Sequence, residues 1–128
     1  MEFKVKSGSR TQLIDITADV QAALRQAGVR EGTCMIYVPH TTAAVTINEN
    51  ADPTVKSDIL KILNQVIPFE AGYGHMEGNS AAHIKSTLVG ASEWVAVRSG
   101  KLQLGTWQGI FFCEFDGPRR RRVQLFLH

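Results

Sequence analysis

The chain has 128 residues, 44% of them hydrophobic and 20% charged, with a formal net charge of +2. That length suits one domain with a real core, residues 1–128, and the composition is that of an ordinary globular protein. Mixed charges and the absence of an apolar run near the roughly 18–20 residues of a membrane span speak against both nucleic acid and membrane as partners.

The opening M-E-F-K-V-K-S-G-S-R carries no apolar leader, so a cytoplasmic location is expected. Residues 3–6 (F-K-V-K) and 12–16 (Q-L-I-D-I) alternate as short strands around the turn S-G-S. Thr17 is placed to cap a helix through Ala27, with Val20, Ala23, Leu24 and Ala27 on one face and Gly28 to end it. Strands follow at 34–38 (C-M-I-Y-V) and 43–47 (A-A-V-T-I), the first apolar enough to be buried. Cys34 and Cys113 both sit in strand-like apolar runs, which predicts buried free thiols.

Asp52 suits an N-cap and Pro53 the first helical turn. Val55, Ile59, Ile62, Leu63 and Val66 then form an amphipathic stripe that Pro68 closes. After a glycine-punctuated loop, Ser80 is placed to cap a short helix carrying His83, Ile84, Thr87 and Leu88. From Glu93 onward the chain reads as closely spaced strands with short turns, which predicts antiparallel hairpins. The expected fold class is α+β: a largely antiparallel sheet or sandwich with two main helices packed on it.

Three features carry chemistry. His40 follows a strand, and His75 and His83 bracket the loop Y-G-H-M-E-G-N-S-A-A-H. Three imidazoles could bind zinc, with Glu77, Glu49 or Glu114 as a fourth donor, although H-x7-H is not an established ligand spacing. Asn48, Glu49, Asn50 and Asp52 crowd the start of the second helix, where turn and cap chemistry competes with phosphate binding. In W-Q-G-I-F-F-C-E-F both faces are apolar, so the strand is central and Glu114 looks inward or along a subunit contact, where a carboxylate needs a partner. Gly109 within it suggests a bulge or a close backbone approach. Arg119 to Arg122 run consecutively, and alternation sends Arg119 and Arg121 one way and Arg120 and Arg122 the other.

H-T-T-A-A-V-T-I-N-E-N-A-D-P, G-H-M-E-G-N-S-A-A-H-I-K-S and G-K-L-Q-L-G-T-W-Q-G-I-F-F-C-E-F-D-G-P-R-R-R-R together resemble the YjbQ family, also called UPF0047 or the secondary thiamine-phosphate synthase family. The resemblance covers essentially the whole chain in order. It implies a small α+β homotrimer acting on a small phosphorylated molecule: a thiamine-phosphate synthase-like transferase joining a pyrimidinylmethyl diphosphate to a thiazole phosphate. At 128 residues the chain is too short for the (β/α)₈ barrel of the dedicated enzyme, typically about 250 residues.

The residues it singles out are His40, Glu49, His75, His83 and Glu114 for catalysis. Thr41, Asn48, Asp52, Lys85, Trp107 and Gln108 would bind substrate, joined by Arg119 and Arg121 from one side of the arginine run, and His40, His75 and His83 would hold a divalent metal, zinc or magnesium. Where the family carries an acidic run after E-G, this chain has Asn79-Ser80-Ala81-Ala82, which favours a histidine-centred site over a carboxylate-rich one. Two alternatives stand beside this reading: a metal-dependent hydrolase or transferase on a small phosphorylated or acyl substrate, and a trimeric ligand-binding module without turnover.

Overall fold

Alternating apolar side chains split the strands between two sheets. A computed structural model describes residues 1–76 and 78–128. In chain order it contains β1 (Glu2–Lys6), β2 (Gln12–Asp15), α1 (Thr17–Ala27), β3 (Gly32–Tyr37), β4 (Ala43–Glu49), α2 (Pro53–Val66) and α3 (Ser80–Val89). The elements β5 (Ser92–Arg98), β6 (Lys101–Leu102), β7 (Gln108–Glu114) and β8 (Arg120–Leu127) complete it. One sheet has the order β1-β8-β3-β5-β6 and the other β2-β7-β4, with every pairing antiparallel. No helix among the described residues is long and apolar enough to cross a membrane.

Two apolar layers hold these sheets. Val5, Ile36, Val95 and Val123 from the larger sheet meet Ala43, Val45, Ile110 and Phe112 from the smaller, and α1 adds Val20 and Leu24. On the other side of the smaller sheet, Phe111, Cys113 and Phe115 pack against Ala82 of α3 and Ile59, Leu60 and Leu63 of α2. β7 is therefore covered on both faces, as its two-sided apolar sequence requires. The outcome is the expected α+β class: two stacked sheets with α1 packed into the core they share and α2 and α3 on the outer side of the smaller sheet.

The hairpin expectation holds only for β5–β6. β7 sits in the other sheet, and β8 returns to lie between β1 and β3. β1 and β2 likewise part into different sheets. Short turns allow a hairpin but do not compel one; a strand apolar on both faces is better buried at the centre of the inner sheet.

Cap chemistry also shifts. Thr17 is the first residue of α1, not its cap: Asp15 Oδ1 accepts from the Thr17 N–H at 2.9 Å and from its hydroxyl at 2.6 Å. Ser80 likewise opens α3, with Asn79 at the cap position. Gly28 ends α1 with φ of 72°. Asp52 caps α2, accepting from the Thr54 N–H at 2.9 Å. The buried face of α2 is rotated from the predicted stripe, leaving Ile62 53% and Val66 70% exposed.

Candidate functional site

β3 pairs with β8 as far as Tyr37 opposite Gln124 and then leaves the sheet. Beyond that point the Arg122 N–H donates to His40 Nε2 at 3.0 Å, so an imidazole continues the ladder where the backbone has turned away. Accepting at Nε2 requires the neutral ring to carry its proton on Nδ1. Burial, and then the charges of Arg121 and Arg122, hold the His40 pKa below the ordinary histidine value, which keeps the ring neutral at pH 7.

His40 separates two clefts. One, of about 280 Å³, is shared with Thr41 and with His83, Ser86 and Thr87 of α3. The spacing i, i+3, i+4 puts those three side chains on one helical face. Ser86 Oγ is buried with no hydrogen-bond partner among the described residues. The His75 ring meets that of His83 edge-on, centroids 5.5 Å apart. The other cleft, of about 450 Å³, is lined by Lys4, Pro39, His40, Arg120, Arg121 and Arg122.

The structure thus brings His40, Thr41 and His83 to one cleft, with His75 against His83. Among the described residues no group of three or more His, Cys, Asp or Glu side chains is gathered closely enough to hold a metal ion. The three histidines expected to ligate zinc or magnesium therefore do not form a ligand set as they stand, and Glu77, the suggested fourth donor, lies outside the described residues.

The remaining candidates lie elsewhere. Asn48 and Glu49 end β4 opposite Gly109 and Gln108, whereas Ala43, beside the histidine cleft, begins it. Six residues of strand put about 20 Å between the two ends. At the far end, Glu49 accepts from the Asp52 N–H at 3.2 Å, Asp52 caps α2, and Gln108 Oε1 accepts from the Gly105 N–H at 2.8 Å. Trp107 is 64% exposed there. A Cβ on Gly109 would meet the Asn50 side chain at 2.7 Å, which is the close approach its place in the strand suggested.

Glu114 and Arg121 are engaged with each other inside the sandwich. Arg121 donates to both Glu114 oxygens, through Nε at 2.9 Å and Nη2 at 2.5 Å, and Ser7 and the Asp116 N–H supply two more bonds. Burial acts to raise the Glu114 pKa, but the bonds from Arg121, Ser7 and Asp116 outweigh it and hold the carboxyl below its usual range. Arg119 pairs with Asp116 at 2.9 Å. Lys85 is fully buried away from both clefts, donating to Asn64 Oδ1 at 2.6 Å and lying 4.3 Å from the centre of the Phe69 ring. Burial, and then the charge of Arg10, lowers its pKa.

Arg119, Arg120 and Arg122 are exposed, and of the four arginines only Arg121 is buried. In register, Arg122 faces Lys4 and Arg120 faces Lys6. Like charges directly opposite destabilise a sheet, so two stacked cationic pairs beside His40 are a costly arrangement unless an anion joins them. Strand alternation separated Arg121 from its neighbours Arg120 and Arg122, but not which of them faced solvent. Ser86 and Thr87 had no signal beyond their spacing from His83.

A two-sheet sandwich backed by helices, with a histidine cleft at one end, defines the class of this protein. The model described as UPF0047 protein YjbQ-like matches residues 1–128, and the chain belongs to that family. It is 54% identical to UPF0047 protein MJ1081 of Methanocaldococcus jannaschii, over 97% of this chain and 90% of that one. It is 56% identical to UPF0047 protein YugU of Bacillus subtilis, over 96% and 94%. A crystal structure of an uncharacterized YjbQ/UPF0047 family protein from Clostridium acetobutylicum superposes with a TM-score of 0.97 at 50% identity, covering 100% of this chain and 99% of that one.

Proposed function

We propose that this protein binds and transforms a small phosphorylated molecule at His40, with its phosphate in the cleft of Lys4, Arg120 and Arg122 and its reacting part in the cleft of Thr41, His83 and Ser86. The observation that carries this is the position of His40, neutral and ring-ordered, between a cationic cleft and a hydroxyl-lined one. Arginine forks suit phosphate oxygens, and a neutral imidazole can take up a proton. Ser86 Oγ, buried without a partner among the described residues, is a group that a ligand would satisfy.

The particular reaction we favour is the one the family resemblance implies: condensation of a pyrimidinylmethyl diphosphate with a thiazole phosphate. The bond to diphosphate breaks, the thiazole nitrogen supplies the electron pair of the new C–N bond, and diphosphate departs. In this reading the cations beside His40 stabilise the leaving diphosphate.

The far-end candidates Asn48, Glu49, Asp52, Trp107 and Gln108 would join such a site only across a subunit boundary, and we propose the homotrimer that would allow it. In its support, Phe126, Met35 and Trp94 are in register across β8, β3 and β5 on the uncovered face of the larger sheet. Phe126 is 46% and Trp94 56% exposed. An apolar row across three strands is what an interface between copies would bury.

The test is diphosphate release by tag-free protein given both substrates, with His40→Ala and His83→Ala beside it. Turnover that falls by about a hundredfold or more in these variants, with melting temperature retained, is the expected result. Turnover unchanged in both variants would sink the assignment of His40 and His83. Saturable substrate binding without turnover would favour the ligand-binding module instead.

A further inference from the structure

β3 and β5 run past each other from Tyr37 opposite Ser92, beside the histidine cleft, to Gly32 opposite Val97. At that second end, about 15–20 Å away, β5 turns back into β6 through Ser99 and Gly100. Both turn residues have positive φ, 52° and 74°, which is the backbone of a tight two-residue hairpin turn. The end of α1 and residues 28–30 lie against this turn and leave a cleft of about 590 Å³.

Three cationic side chains from three segments line it: Arg25 from the last turn of α1, Arg30 from the connection to β3, and Lys101 from β6. Arg98, opposite Lys101 in register, adds a fourth charge beside the turn. None of these four side-chain heads has a hydrogen bond or ion pair to any described residue. The carboxylate nearest in sequence is Glu31, and its Oε1 accepts the Ser99 N–H at 2.9 Å. Arg25 also complements the carbonyl end of α1, but that leaves its donors free. No acid among the described residues lines the cleft.

The walls are fixed by bonds that leave the cations alone. Gln21 ties α1 to the hairpin at both ends of its amide, donating to Gly100 O at 2.9 Å and accepting from the Leu102 N–H at 3.1 Å. Gly100 N–H donates to Arg30 O at 2.9 Å. Val29 and Leu102 add an apolar portion. A framed cleft lined by three cationic side chains and some apolar wall has the make-up of a small-ligand site, and its volume falls in the usual range for one.

We infer that this cleft is a second anion site, separate from the histidine clefts, which takes the phosphate of a phosphomonoester through Arg25, Arg30 and Lys101. Two guanidinium forks and an ammonium match the three outer oxygens of such a group. The remaining volume exceeds one phosphate and accommodates an organic part against Val29 and Leu102.

The experiment is an amide NMR titration of the full chain with sodium phosphate at pH 7, ionic strength being held constant with sodium chloride. Saturable shifts at Arg30, Gly100 and Leu102 are expected, absent in a chloride titration. Arg25→Gln/Arg30→Gln should weaken them by about tenfold or more, and Lys101→Gln alone should weaken them less. Lys4→Gln/Arg122→Gln, at the other end of the sheet, should leave these shifts intact, which separates this inference from the fate of the histidine site. Shifts that follow ionic strength alone, or persist unchanged in the double arginine variant, would overturn it. So would a short RNA that binds here far more tightly than phosphate, since the occupant would then be a polynucleotide backbone.

Discussion

Arg121 reaches from the larger sheet across the sandwich and donates two hydrogen bonds to Glu114 of the smaller one, both side chains being almost wholly shielded from solvent. The same guanidinium donates to Thr42 Oγ1 at 2.8 Å, just after His40. The pair therefore couples the two sheets to the loop that carries the candidate catalytic histidine. Its chemistry is spent inside the fold, which makes its first expected consequence one of stability.

Glu114→Gln should destabilise the protein by about 3–5 kcal/mol, because it leaves a buried guanidinium without its counter-charge. A Glu114→Gln/Arg121→Met double variant should recover much of that loss. Urea denaturation of the three proteins checks this; equal losses in the single and double variants would contradict it.

The same pair sets the response to acid. The folded Glu114 pKa lies below its ordinary value of 4.5, so the unfolded state binds the proton more readily. The stabilisation is present above about pH 4.5 and is lost as pH falls through the lower folded value. Wild-type melting temperature should decline over that acid range, and the Glu114→Gln variant should show a shallower decline.

Lys85 is a buried ammonium with no carboxylate partner among the described residues. Its folded pKa is lowered, so the charged form costs stability at neutral pH and the cost is relieved as pH rises towards 10.5. Lys85→Met should stay within about 1 kcal/mol of wild type at pH 7, since the lost Asn64 bond and the relieved burial oppose each other. Wild type should then gain on the variant between neutral and pH 10. Lys85→Ala should lose about 2–5 kcal/mol through the cavity it leaves. Phosphate affinity should not change in Lys85→Met, measured by calorimetry.

Both thiols are buried and free, and burial pushes Cys34 up to about 11 and Cys113 up to about 12. Neither should react with a thiol-selective disulfide reagent in the native protein at pH 8, and both should react in denaturant. A fast-reacting thiol in the folded state would show that one of these strands opens.

His40 should titrate below the ordinary histidine value, and its protonation should break the bond from the Arg122 N–H. Imidazole shifts followed by NMR against pH would show this, with the Arg122 amide moving at the same midpoint. Any activity that needs neutral His40 should fall as pH drops through that midpoint and hold at neutral pH.

Much of the candidate site was legible in the chain order of residue types. Histidines after a strand and around a polar loop marked the cleft now formed by His40 and His83. The cap at Asp52, the αL end at Gly28 and the two-faced apolar run of β7 follow from local stereochemistry and side-chain period, which need no partner to operate. The family assignment likewise rests on residues in order, not on their positions in space.

Tertiary structure decided the rest. Alternation separates Arg121 from Arg120 and Arg122, but that Arg121 is the one turned inward depends on the presence of Glu114 across the core, 7 residues away in sequence and on another sheet. The parting of β1 from β2, and of β7 from its neighbours, depends on which strand best fills the middle of the sandwich. So does the distance that divides Glu49 and Trp107 from the histidines along β4. Sequence period tells which side chains share a face; only the packing of one face on another tells which face meets water and which residues, far apart in the chain, meet each other.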